Sequence, residues 1–322
     1  MVLAGEDPPL LENTHYFHIL KGFNQWDILL APHRDFVFPM EKEKLECMRN
    51  YVNTLDGKST EMEIIDDIFS VTNSHFPAMF DKLEGRDSRL SNDVVNVLVT
   101  LPMLALVFAP VKGLAAPPRA PPMMVGKTYF LDKNCIGPPN RTLTSGCMFH
   151  RNYGPFYNKL EHPLVIPVCI TPGDLYTGRL DPRNHFVVLQ YHPPKEATHR
   201  QNELVVYDSL DLSDILKDAV DENKEHMDAA SEVIMGFRKG TLHGGLPPPT
   251  RRVAFNTPTQ KDARSCGLFC FANTMRACGL WSESRVIECT FHSRREQFRK
   301  YIADFLYVMA YYIGQVVSGK HG

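Results

Sequence analysis

The sequence predicts an α+β protein with a mainly antiparallel central sheet flanked by helices and a helical N-terminal extension. Three observations predict it. Runs rich in β-branched and aromatic residues cluster at 164–170, 185–191, 203–209 and 252–256. The polar stretch 193–202 joins the second and third runs as a hairpin loop, so those two strands run antiparallel. Apolar residues at helical spacing lie for the most part before and after the strands, which segregates helix from sheet.

Taken in order, residues 1–82 read as an accessory extension and 83–322 as the main domain. Residues 23–30 fit a strand or a short helix equally well. Leu45, Met48, Tyr51, Val52 and Leu55 recur at helical spacing over 42–55, and Asp56-Gly57 stops that helix. Ile64, Ile65, Ile68 and Phe69 line a second helix over 61–71. Ser91 or Asn92 caps the next, with Asp93 in its favourable first turn. Its apolar run, 94–111, approaches membrane-spanning length. It contains Asn96, Thr100, Pro102 and Pro110 and lacks basic flanks, so a core helix with a proline-limited end is the better reading. The Pro- and Ala-dense 114–122 is an extended connector, and 128–160 is turn-rich. Pro167 interrupts the first strand and predicts an edge or a bulge. A helix over 211–238 and a Gly- and Pro-rich loop over 240–249 precede the fourth strand. Cys266 then opens a helix to about Cys278, stopped by Gly279. Residues 288–317 form a long amphipathic helix, broken or whole, with Phe298, Ile302, Phe305, Leu306 and Met309 toward the core.

Composition narrows the function classes. A formal net charge of −2 and the absence of a basic block give no nucleic-acid footprint. The eight cysteines show no CxxC pair, and Cys266, Cys270 and Cys278 share one helix without a matching His pair, so no metal site is expected. That cysteine usage and the lack of a signal-like N-terminus predict a reducing, intracellular setting, cytoplasmic or nuclear. No membrane partner is expected.

The chemistry gathers around Cys266. A thiol at a helix N-terminus sits where the macrodipole favours negative charge. A nucleophilic thiol also needs a base and a group that orients the base. His185 begins one strand and Asp208 ends its antiparallel neighbour, so their side chains can meet. Six residues before Cys266, Gln260 offers a neutral amide donor to an oxyanion. Asp262 and Ser265 line the approach to Cys266, or serve only as turn residues. Cys270, one helical turn on, faces the core, and His192 and His199 fall in or beside the hairpin loop, exposed to solvent.

At these residues the chain resembles the ubiquitin-like-protein-specific cysteine proteases, the group that includes the SUMO proteases, within the adenovirus-type protease clan. The resemblance lies in Asn92-Asp93-Val94-Val95-Asn96, in His185 after Arg183-Asn184, in Val206-Tyr207-Asp208-Ser209-Leu210, and in Gln260 before Cys266-Gly267. It covers about residues 85–322. It implies a papain-like core with His185 as general base, Asp208 as orienting acid, Cys266 as nucleophile and Gln260 in the oxyanion hole. The implied reaction is hydrolysis after the C-terminal Gly-Gly of a ubiquitin-like modifier, on the precursor or its protein conjugates, with no cofactor. Substrate contacts would then fall to Phe186, Leu90, Asn92, Asp93 and Ser265. Two positions depart from the family pattern: Phe186 and Leu90 stand where tryptophans usually clamp the di-glycine tail. The catalytic set is intact while the tail-binding apparatus is altered. Three other readings stay open: a polyprotein-type peptidase, a clan-related acyltransferase, and a modifier-binding protein without activity.

Overall fold

A computed structural model describes residues 19–20, 22–69, 71, 74–85, 89–108, 124–125, 129–132, 163–171, 185–193, 202–209, 249–262 and 264–319. The class is α+β: eight α-helices and a mixed sheet among the described residues. The expected helix over 211–238, the connector 114–122 and the loop over 240–248 lie outside the described residues. The chain divides into two compact units, one of residues 1–121 and 291–322, the other of residues 122–290. The helices before residue 82 therefore share a unit with the C-terminal helix, a grouping that the boundary at 82/83 does not anticipate.

The helical unit contains α1 (Trp26–Leu30), α2 (Lys42–Thr54), α3 (Thr60–Ile68), α4 (Phe80–Glu84), α5 (Asn92–Phe108) and α8 (Arg295–Val317). The unresolved choice at 23–30 falls to helix. Its Trp26 ring is buried, and the indole N–H donates to the Leu20 carbonyl at 3.3 Å. In α2, Leu45, Met48 and Val52 form the buried stripe. Ser59 caps α3 by accepting from the Met62 N–H at 3.2 Å. All of these helices but α5 lie along α8, whose Phe298, Ile302, Phe305, Leu306 and Met309 are buried. Aromatic rings fill the seams: Phe80 stacks on Tyr307 at 3.8 Å, and Phe23 meets Phe305 edge-on at 5.5 Å. Arg49 of α2 ties the layers electrostatically. It binds both Glu84 and Asp304 and lies over the Tyr307 ring, 4.8 Å from its centroid.

Helix α5 departs from expectation at its proline. Pro102 sits inside the helix rather than at its end, and the helix runs on to Phe108. The missing N–H removes only the bond to the Leu98 carbonyl, and burial of the surrounding apolar residues outweighs that loss. Ser91 caps the start, accepting from the Val94 N–H at 3.5 Å. No described helix is long and apolar enough to cross a membrane.

The sheet unit contains β1 (Met124–Val125), β2 (Tyr129–Asp132), β3 (Leu164–Thr171), β4 (His185–His192), β5 (Glu203–Tyr207), β6 (Thr250–Val253), α6 (Cys266–Ala277) and α7 (Glu283–Thr290). The order is β1-β3-β4-β5-β6, with β2 also paired to β3. Its centre, β3-β4-β5, is antiparallel as expected, but β1 and β2 pair with β3, and β6 with β5, in parallel. The sheet is therefore mixed. Pro167 lies in an interior strand, not at an edge. The pairing with β1 ends at Val165 and that with β2 begins at Val168, so the proline falls in the gap between them. A residue without an N–H removes no ladder bond there.

Helix α6 packs on β3 and β4, and α7 packs on α6. A buried polar chain locks this layer. Tyr207 Oη donates to Gln190 Oε1 at 2.8 Å, and Gln190 Nε2 donates to the Ala277 carbonyl at 2.8 Å. That bond satisfies one of the orphan carbonyls at the helix end. Gly279, at φ +70°, then turns the chain, and the Leu280 N–H reaches back to the Met275 carbonyl at 3.0 Å. The long helix expected over 288–317 is broken: α7 ends at Thr290, a 3₁₀ turn spans His292–Arg294, and α8 follows.

Phe305 is fully buried between Phe23 and Trp26. Phe305→Ala is expected to destabilise the helical unit by about 3–5 kcal/mol. Urea unfolding checks this, and an unchanged midpoint would contradict the assignment of α8 as the core of that unit.

Candidate active site

Strand register brings the first pair of candidates together. Val188 pairs with Tyr207, the last residue of β5. Continued by one residue, the register puts Asp208 opposite Val187, on the face that His185 shares. His185 and Asp208 are thus diagonal neighbours across two antiparallel strands, a separation that an imidazole and a carboxylate can bridge. They do so: His185 Nε2 lies 2.7 Å from Asp208 Oδ1. Both side chains are largely withdrawn from water, with relative exposures of 8% and 15%.

The bond to Asp208 occupies Nε2, which leaves Nδ1 as the nitrogen for a second partner. Cys266, at the first position of α6 and nearly buried, hydrogen-bonds the same imidazole. Burial opposes the charged ring, yet the hydrogen bonds to Asp208 and Cys266 and the favourable electrostatics of these neighbours outweigh it. His185 is raised from 6.5 to about 9. An imidazolium held between a carboxylate and a sulfur is the charge state that supports a thiolate.

The other described cysteines of the sheet unit differ. Burial, with a smaller contribution from the neighbouring Cys266, pushes Cys169 up to about 12. Burial likewise pushes Cys270, Cys278 and Cys289 well above the ordinary thiol range. Burial thus disfavours the thiolate at each of the four. Cys270 faces the core as expected. Cys47 is exposed on α2, in the helical unit.

Gln260 is held at the end of β5 by Ser209, the residue after Asp208. The chain after β6 continues beside the end of β5: Ala254 N–H donates to the Val206 carbonyl at 2.7 Å, and Gln260 N–H to the Ser209 carbonyl at 2.6 Å. The Ser209 hydroxyl also donates to Gln260 Oε1 at 3.1 Å. Both side chains are buried. Between Gln260 and Cys266 the turn is organised by Asp262. Its Oδ1 accepts from the backbone N–H groups of Arg264 and Ser265, each at 2.8 Å, and its Oδ2 accepts from the Ser265 hydroxyl at 3.0 Å. Ser265 occupies the N-cap position of α6 and makes no side-chain cap; the Asp262 carboxylate holds the turn immediately ahead of Cys266 instead.

His185, Asp208, Gln260 and Cys266 all belong to the sheet unit, as do Phe186 and Ser265. Phe186 is buried on β4 and pairs in register with Cys169, so it lies on the opposite face of the strand from His185. Ser265 is half-buried. Leu90, Asn92 and Asp93 belong to the helical unit. Leu90 is buried there, Asn92 opens α5, and Asp93 lies half-buried in its first turn. His192, expected to be exposed, is half-buried at the end of β4; His199 lies outside the described residues. Among the described residues, no His, Cys, Asp and Glu side chains cluster in a way that could hold a metal ion. The sequence reading missed Ser209. The available signal was its place directly after Asp208 in the Val206-Tyr207-Asp208-Ser209-Leu210 motif.

Comparison with protein-family models finds no match, and no curated protein matches the chain either.

The His185 geometry predicts a pH effect on stability. Its folded value is raised above the unfolded one, so its contribution is complete below about 6.5 and is lost as pH rises through about 9. The size of the contribution is roughly 3 kcal/mol. Urea unfolding of the wild type and of Asp208→Asn at about pH 6 and about pH 10 checks this. The stability gap between the two proteins should narrow at the higher pH. A constant gap would contradict the shared proton.

Proposed function

We propose that the protein is a cysteine-type peptidase with a papain-like catalytic core, which hydrolyses the bond after the C-terminal Gly-Gly of SUMO or another ubiquitin-like modifier. One observation carries the hydrolytic part. The imidazole of His185 is held by Asp208 at 2.7 Å through one nitrogen and shared with Cys266 at a helix N-terminus. A thiol, a base and an orienting carboxylate converging in one buried corner is the arrangement that nucleophilic acyl transfer needs. The substrate class rests on the resemblance of the motifs around these residues to the modifier-specific proteases.

In this reading His185 takes the proton of Cys266, and the thiolate attacks the glycine carbonyl. The oxyanion is held by Gln260 Nε2 and a backbone N–H near Cys266. His185 then returns the proton to the leaving amine, which is a lysine side chain in an isopeptide or an α-amine in a precursor. Water, deprotonated by His185, cleaves the thioester and regenerates the thiol. Asn92, Asp93 and Leu90 enter only as the residues that the resemblance assigns to substrate. Phe186, buried on the face of β4 away from His185, likewise enters only as a residue that the resemblance assigns to substrate.

The test is reaction with a panel of ubiquitin-like modifiers that carry C-terminal electrophiles. One modifier is expected to form a covalent adduct that disappears in Cys266→Ala and is slowed by roughly 10²-fold or more in His185→Ala. An adduct that persists in Cys266→Ala, at Cys47 for example, would contradict the assignment. No adduct with any modifier would move the substrate to a peptide bond of another kind.

A further inference from the structure

We propose that Ser209 is a positioning residue for the oxyanion site: its hydroxyl holds the Gln260 side-chain amide so that Nε2 is presented to the substrate carbonyl. This rests on the peptidase reading and adds a residue to it.

A glutamine side chain has free torsions and a two-fold ambiguous terminal amide. As an oxyanion donor it is useful only if Nε2, not Oε1, faces the developing charge, because a carbonyl oxygen there would repel it. Catalysis by such donors depends on their being oriented before the charge appears. In this protein the orientation is imposed by one neighbour. Ser209 Oγ donates to Gln260 Oε1 at 3.1 Å, and that demand for an acceptor picks the oxygen. The amide plane then turns Nε2 away from Ser209. Among the described residues Nε2 donates to no protein group, although Gln260 is only 7% exposed. The backbone holds the same two residues at a second point, with Gln260 N–H on the Ser209 carbonyl at 2.6 Å. Ser209 is 1% exposed, so water does not compete for its hydroxyl.

The placement follows from chain order: Asp208 and Ser209 are consecutive just past the end of β5. One holds the base, His185, and the other holds the oxyanion donor, Gln260. A single dipeptide thereby sets both halves of the site. Apposition at the strand end alone would supply the backbone bond; the hydroxyl adds the choice of amide orientation.

The experiment is a double-mutant cycle read on a C-terminal Gly-Gly aminomethylcoumarin amide of SUMO. Ser209→Ala is expected to lower kcat about tenfold or more while KM stays within about twofold, because the oxyanion forms only in the transition state. In a Gln260→Ala background the same substitution should change kcat no further. Carbamidomethylation of Cys266 by iodoacetamide, which forms no oxyanion, should proceed at the wild-type rate in Ser209→Ala. The isosteric pair Ser209→Thr and Ser209→Val keeps the question open to refutation if the alanine variant does not fold: the threonine protein should retain kcat and the valine protein lose it. Unchanged kcat in Ser209→Ala, an equal fall in both Gln260 backgrounds, or equal activity of the threonine and valine proteins would overturn the proposal. Absence of turnover by the wild type itself, with Cys266 still alkylated, would instead remove the peptidase reading for this substrate and the proposal with it.

Discussion

The hydrogen bond between His185 and Asp208 depends on the register of two strands, and so does most of what surrounds it. Val188 opposite Tyr207 sets Asp208 within 2.7 Å of the imidazole. A slip by one residue would send one of the two side chains to the wrong face. The register is held by apolar residues buried along β4 and β5 and by the Gln190–Tyr207 bond that crosses them. The site is thus a consequence of sheet packing, and its polar groups inherit their order from an apolar core. That is economical, because a buried imidazole without a partner would cost several kcal/mol rather than stabilise anything.

The same corner combines two electrostatic devices. Carboxylate and sulfur together raise the basicity of His185 against the opposing effect of burial. Helix α6 presents its positive end at Cys266, with the Asp262 carboxylate holding the turn just ahead of it. Burial has the reverse effect on Cys169, Cys270, Cys278 and Cys289, which it holds as thiols. Chemical selectivity among the cysteines of the sheet unit then follows from position. The one beside a histidine at a helix N-terminus is set apart from those facing apolar surroundings.

Much of this was legible in the sequence, for physical reasons that differ by element. The strands at 164–171, 185–192 and 203–207 announce themselves because β-branched runs bounded by polar stretches have few other solutions. The His185–Asp208 pairing followed from a hairpin argument alone. The start of α6 at Cys266 and its end near Gly279 followed from local stop signals. What stayed hidden depended on partners remote in sequence. Pro167 reads as an edge residue until β1 and β2 are seen to leave a gap beside it. Pro102 reads as a stop until the burial of α5 is known. The parallel outer pairs require knowing where loops cross, which periodicity does not encode. The alliance of α1 to α4 with α8 is likewise a matter of tertiary packing between segments more than two hundred residues apart. Ser209 was hidden because a serine after a strand reads first as a turn residue.

The central claim is that Cys266 becomes acylated by the substrate. The most direct measurement is acid quenching of the protein within milliseconds of mixing with a modifier ester, followed by mass mapping of the peptide that contains Cys266. The account predicts a thioester-linked modifier on Cys266 that decays with turnover and does not form in Cys266→Ala. Turnover without any acyl-enzyme on Cys266, or an acyl group mapped to another residue, would contradict it.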